Sequence, residues 1–164
     1  MVQIGAVKLD AASLREVDAF DILVQPRVNP VLSDYLVQLT GITNAALQQR
    51  GVDFITAYSG FLDFVDGARA FAHGRDDLIL AGNLRMYGWA GVLPLPAYAN
   101  GVPWFAAQGI DLKGKRACDV AEAAGTVFEG HKHDALADAR GVAAGFVHLI
   151  KSGAPNPFLS EAAS

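Results

Sequence analysis

The spacing of apolar residues changes along this chain from alternation to a rhythm of three and four. That change restricts it to folds in which helices cover a sheet. Residues 2–9, VQIGAVKL, are rich in β-branched side chains and end at Asp10, the mark of a strand. Residues 19–24, AFDILV, alternate and stop short of Pro26. With the polar stretch 11–18 between them, the two runs predict a hairpin with a long connection. Pro26 and Pro30 then enforce an extended, irregular path.

The helical rhythm follows. Ser33 is a fitting N-cap for a helix that buries Tyr35, Leu36 and Leu39 and stops at Gly41. Thr43 caps a short helix through Gln49, halted by Gly51. Phe54, Ala57, Tyr58, Phe61, Leu62 and Val65 form one apolar face over about three turns, closed by Gly67. Residues 68–72, ARAFA, lie between glycine-bounded segments and read as a buried strand. From Asp76, Leu78, Ile79, Leu80 and Leu84 predict a helix to about Tyr87. Residues 88–103, punctuated by Pro94, Pro96 and Pro103, read as loop, and 117–124 as a helix ended by Gly125. The clearest element starts near Asp134, where Leu136, Ala139, Ala143, Phe146, Val147 and Ile150 line one face. The order predicts one α/β domain over residues 1–151, with 152–164 a frayed tail.

Composition narrows the function classes. Over 164 residues the net charge is −4, so a protein that coats a duplex through a basic stripe is disfavoured. Any nucleic acid has to be held locally, through few phosphates or through metal ions. The single cysteine, Cys118, excludes an internal disulfide and a cysteine-based zinc site. No apolar run reaches the roughly 18 residues a membrane span needs, and MVQIGAVKLD lacks the basic and apolar regions of a secretory signal. A cytoplasmic protein is expected.

Two polar clusters can carry chemistry. In GHKHDALADA (130–139), His133 sits just ahead of the last helix and Asp138 about one turn inside it. A histidine beside a carboxylate suits a general base that takes a proton from water at neutral pH. Asp134 has a simpler role, opposing the helix dipole as its cap. His131 and His133 are spaced wrongly for a helical zinc motif. The second cluster, AHGRDD (72–77), ends the predicted buried strand and starts a helix, where ligand sites of covered sheets gather. Asp76 and Asp77 suit a hard divalent cation, or equally an N-cap pair.

The segment HDALADAR (133–140) resembles the third motif of the DEDDh 3'–5' exonucleases: a histidine, four residues, and an aspartate. These enzymes include the proofreading exonuclease of bacterial polymerases, ribonuclease T and the histone-mRNA type exoribonucleases. IGAV (4–7) resembles the family's second strand, LTGIT (39–43) its loop segment, and GRDD (74–77) its second motif. The resemblance extends to about Lys151. It implies an RNase H-like fold with a central five-stranded mixed sheet flanked by helices. It further implies four carboxylates holding two divalent metals, Mg2+ or Mn2+, and a phosphodiester cut at the 3' end of single-stranded DNA or RNA. Carried over, Asp138 becomes a metal ligand and His133 the base that activates water. Leu80, one turn on, picks Asp76 as the second-motif ligand, while the spacing from Gly74 allows Asp77; Asp76 is preferred. Thr40 and Ile42 match a segment beside the substrate channel, or serve as helix-end packing.

One departure stands at the front. The family's first strand carries an Asp-x-Glu pair, half of its metal ligands, and precedes the strand that here begins at Val2. Asp10, Glu16 and Asp18 fall in or near the hairpin turn and are poorly placed to substitute. Without that strand, weak metal binding and an exposed central position in the sheet are expected. Three explanations stay open: a start further upstream, a strand given by another chain as in a strand-exchanged homodimer, or an inactive member. An inactive member would act as a nucleic-acid-binding or partner module, with Lys113, Lys115, Arg116 and Lys132 as candidate phosphate contacts.

Overall fold

In the computed structural model, which describes residues 1–159, the chain opens with a hairpin. β1 (Gln3–Leu9) pairs antiparallel with β2 (Glu16–Leu23), Gln3 opposite Leu23 and Lys8 opposite Asp18. Asp10 ties the connection by accepting from the Ser13 backbone N–H and hydroxyl, both at 2.7 Å. Two short helices follow, α1 (Asp34–Thr40) and α2 (Asn44–Arg50), capped by Ser33 and Thr43 as their sequences predict. Next come α3 (Phe54–Val65), β3 (Ala70–Ala72) and α4 (Asp76–Met86), then β4 (Tyr98–Asn100) and α5 (Gly101–Ala107). A 3-10 turn at Ala117–Asp119 leads into α6 (Val120–Ala123), and α7 (Ala135–Lys151) completes the domain. β3 and β4 run parallel, with Phe71 opposite Ala99.

The strands thus form one antiparallel and one parallel pair, the mixed character that was expected. Among the described residues the two pairs do not join into a continuous five-stranded sheet. A cavity of about 750 Å³ lies between them, lined by every residue of β1 and of β3. Apolar side chains pack on either side of it. Phe54, Tyr58, Phe61 and Val65 of α3 form one core with Ile4, Val24, Leu80 and Leu84. Phe146 and Val142 of α7 form another with Phe105, Leu112 and Val120, bordered by Phe71, Trp104 and Phe158.

α7 docks on the backbone of β1 itself. A Cβ built on Gly5 would stand 2.3 Å from the backbone N of Leu136, so this approach requires glycine. Gln3 completes the seam: its side-chain oxygen accepts from Ala135 N–H at 2.9 Å and its amide donates to Asp134 at 2.9 Å.

Two sequence expectations need correction. α1 buries none of its residues: Tyr35 is 69% exposed, and the flanking Leu32 and Ile42 enter the core instead. A two-turn helix held by caps at both ends needs no buried stripe. The helix expected from Asp76 is present as α4, with Leu80 and Leu84 buried and Leu78 and Ile79 exposed. Residues 88–103 are not all loop, since β4 and the start of α5 lie there. Three residues are too few to show a period, and Pro103 sits in the first turn of α5, where its missing N–H leaves no bond unmade. In the tail, Phe158 packs its ring 5.9 Å from Phe71 and 5.8 Å from Phe146; the remainder, 160–164, lies outside the described residues.

Candidate active site

Asp134 caps α7 by accepting from Ala137 N–H at 2.9 Å, which fixes where the first turn begins. Asp138 follows in that turn and reaches the cavity. His133, just ahead of the cap, has φ +70, a left-handed conformation that costs a non-glycine residue of order 1 kcal/mol. The bend turns its backbone N–H onto Asp138 Oδ1, 3.1 Å away, which offsets that cost. The two residues are therefore joined through the backbone, and the imidazole is left for other contacts. Burial pushes the Asp138 carboxyl above the ordinary carboxylate range, against the pull of the His133 N–H and ring.

Asp76 enters the same cavity from the start of α4. Asp76 is exposed as a residue, yet protein surrounds much of its carboxyl, and the loss of hydration raises its pKa; nearby His73 opposes the shift and Asp77 adds to it. Tyr98 supports the turn, its hydroxyl donating to Gly74 O and accepting from Asp76 N–H at 3.3 Å. Asp77 does not line the cavity. Arg75 holds it in a two-pronged pair, both contacts 2.8 Å, and keeps its carboxyl below the usual range.

Thr40 and Ile42 also line the cavity. The Thr40 hydroxyl is already used at the end of α1, donating to Leu36 O at 2.8 Å and accepting from Ile42 N–H at 3.2 Å. A smaller hollow of about 170 Å³ adjoins them, with Arg50, Asp21 and Asp134 on its walls.

Behind His133 lies a group that the sequence motifs did not single out as an assembly. Arg116 places Nη1 3.1 Å from His133 Nε2. The Arg116 backbone N–H donates to Asp119 at 2.9 Å, and Lys132 reaches the same carboxylate at 3.3 Å. These contacts, the Arg116 N–H first, hold the Asp119 carboxyl at about 2. Spacing alone gives no signal for the Arg116–His133 contact, because 17 residues and a helix separate the partners. Tyr98 was hidden in the same way, inside a proline-flanked stretch.

The donor chemistry of Asp76 and Asp138, anionic oxygen, suits a hard divalent cation. Their number does not suffice. Among the described residues no group of three or more histidine, cysteine, aspartate or glutamate side chains is arranged to hold a metal ion. A two-metal site therefore does not fit the residues described.

The sequence matches the exonuclease family model of the RNase T type over residues 1–146. The fold is similar to that of the nuclease domain of 3'hExo, a DEDDh family member bound to rAMP. The TM-score is 0.79 at 19% identity, covering 93% of this chain and 82% of that one. It is similar also to cell-death related nuclease 4 (CRN-4), with TM-score 0.74 at 22% identity over 93% of this chain and 57% of that one. E. coli ExoI, in its zinc-bound complex with ssDNA, gives TM-score 0.64 at 16% identity over 93% and 36%. No curated protein matches the sequence. With the ordered motifs on one cavity and the family model spanning nearly the whole domain, the chain belongs to the RNase T family of DEDDh exonucleases.

Proposed function

We propose that this domain hydrolyses phosphodiester bonds at the 3' ends of single-stranded DNA or RNA, with His133 as the base that takes a proton from the attacking water. One observation carries the reading. Asp76 and Asp138, 62 residues apart in sequence, open with His133 into a single cavity, and both carboxyls are raised by lost hydration. Two carboxylates whose loss of hydration outweighs the pull of His73 and His133 are unfavourable for folding, as expected of groups kept for function. The family uses divalent metals, and Mg2+ or Mn2+ is the cofactor proposed here. The two carboxylates are this chain's share of the ligands; Asp77 is withdrawn from that share by Arg75. Thr40 and Ile42 line the same cavity, and the substrate strand is proposed to pass beside them.

A second reading rests on the carboxylate count. The position between β1 and β3 holds no strand among the described residues, and further acidic ligands would have to come from there. On this reading the domain binds nucleic acid or a partner without turnover, and a strand-exchanged homodimer is one way to fill the gap.

The test is shortening of a 3'-labelled single-stranded oligonucleotide by the full chain with magnesium or manganese. We expect metal-dependent shortening that falls by a factor of about 10²–10⁴ in His133→Ala. Binding that persists in EDTA, with no shortening in either metal, selects the second reading. A dimer mass in sedimentation identifies strand exchange.

A further inference from the structure

We propose that the small hollow beside the cavity is a guanine pocket, in which Asp21 and Arg50 read a base of the bound strand. The inference rests on the nucleic-acid substrate proposed above and adds to it a base preference that the hydrolytic step itself does not require.

The hollow holds about 170 Å³, below the roughly 300–1,000 Å³ of pockets for drug-sized ligands, so its room is for one flat heterocycle. Gln3, Thr40 and Ile42 line both it and the cavity of Asp76, Asp138 and His133, so the two spaces share a wall. A strand that reaches that cavity has a base to place across this wall. The polar groups of the hollow are of two kinds. Asp21 and Asp134 supply acceptors, and Arg50, in the last turn of α2, supplies donors. Among the described residues no ion pair joins Arg50 to either carboxylate, although all three border one small space. Gln3 keeps the carboxylates back: its amide donates to Asp21 Oδ1 at 2.8 Å and to Asp134 Oδ2 at 2.9 Å. Asp134 spends its other oxygen on the Ala137 N–H. Asp21 has its second oxygen uncommitted among the described residues, and so becomes the reading carboxylate.

This pattern selects among the bases. A carboxylate only accepts and a guanidinium only donates. Guanine carries two neighbouring donors, N1–H and N2–H, on one edge and two neighbouring acceptors, O6 and N7, on the next. Asp21 takes the first pair and Arg50 the second, the latter in the two-pronged geometry by which arginine reads this base. Adenine and cytosine set an acceptor nitrogen beside their amino group, and uracil and thymine flank one N–H with carbonyl oxygens. Each of these turns a lone pair toward Asp21. A phosphate is repelled by both carboxylates, which favours a base over the backbone as the partner of Arg50.

The test uses the 15N-labelled full chain in EDTA, titrated with the 5'-monophosphates of guanosine, adenosine, cytidine and uridine while the backbone amides are followed. Guanosine monophosphate is expected to bind about tenfold or more tighter than the others and to move the amides of Thr40 and Arg50. Inosine monophosphate, which lacks the N2 donor, is expected to lose most of that advantage, a comparison that needs no substitution. Arg50→Gln and Asp21→Asn are each expected to bring the guanosine nucleotide down to the level of the adenosine one. Equal affinity for the four nucleotides, equal affinity for the guanosine and inosine forms, or a preference that survives both substitutions overturns the pocket. Oligonucleotide shortening without a guanine preference in binding sinks the pocket alone, whereas the preference without shortening sinks the proposed activity alone.

Discussion

Asp138 reaches the cavity from a helix whose first turn is bound at several points, whereas Asp76 reaches it from a helix with no side chain bonded at its N-cap. On the α7 side, Asp134 caps Ala137, Gln3 holds both Asp134 and Ala135, and Gly5 lets the helix rest on β1. On the α4 side, Arg75 occupies the cap position without a capping bond and pairs with Asp77 within the turn, while the Tyr98 hydroxyl reaches the turn from outside. One half of the site is located by backbone contact, which tolerates almost no change. The other is located by a three-residue strand pair and one phenol. The α7 half should therefore fail sharply when altered, while the α4 half should accept change with small effects of either sign.

The largest effect is expected at Gly5. Gly5→Ala places a methyl 2.3 Å from Leu136 N, and because the obstacle is backbone, α7 has to lift off β1. We expect a loss of about 3 kcal/mol in chemical denaturation. The matched change on the other half is Gly82→Ala in α4, where nothing lies within 4 Å of the new Cβ. There alanine should stabilise by about 0.5–1 kcal/mol through helix propensity. Losses of similar size at both positions would erase the contrast between the halves.

Next in size is Gln3→Ala. It removes the acceptor from Ala135 N–H, one of the N–H groups a helix cannot satisfy internally, and a donor from Asp134. A loss of about 1–2 kcal/mol is expected. Faster amide exchange in the first turn of α7, with α4 unaffected, would sharpen the comparison by confining the damage to one half.

The same asymmetry explains what could be read from the amino-acid order. α3 and α7 announce themselves because they are long and one-faced, and the hairpin because Asp10 and Pro26 bound two strand-like runs. His133 and Asp138 were visible as a spaced pair, since only the Asp134 cap and the first turn of α7 lie between them. In sequence, the spacing to Leu80 favoured Asp76 over Asp77 while the spacing from Gly74 still allowed Asp77. Their neighbour Arg75 could pair with either, and the fold turns Asp77 toward it while Asp76 opens into the cavity. β4 and α5 escaped because a three-residue strand exists only through its partner, and the Arg116–His133 contact because it joins two separately folded turns.

Smaller still is the effect expected at Asp76, which keeps solvent exposure, and here the sign is informative. Its carboxyl is raised in the folded protein, so ionisation is harder there than in the unfolded chain. The resulting penalty is absent below the unfolded value near 3.8, sets in as pH rises past it, and is complete above the raised folded value. Asp76→Asn removes the penalty. It should be more stable than wild type at neutral pH, with the difference vanishing at about pH 3, where both states hold the proton. Asp77 runs the other way, since Arg75 lowers its carboxyl; its contribution is present above the ordinary value and lost as pH falls through the folded one. Asp77→Asn should therefore show no gain at neutral pH. Urea denaturation of the two variants at neutral and acid pH checks both signs. If Asp76→Asn loses stability at neutral pH, Asp76 serves the fold as its neighbour does, and the cavity keeps only the carboxylate of α7.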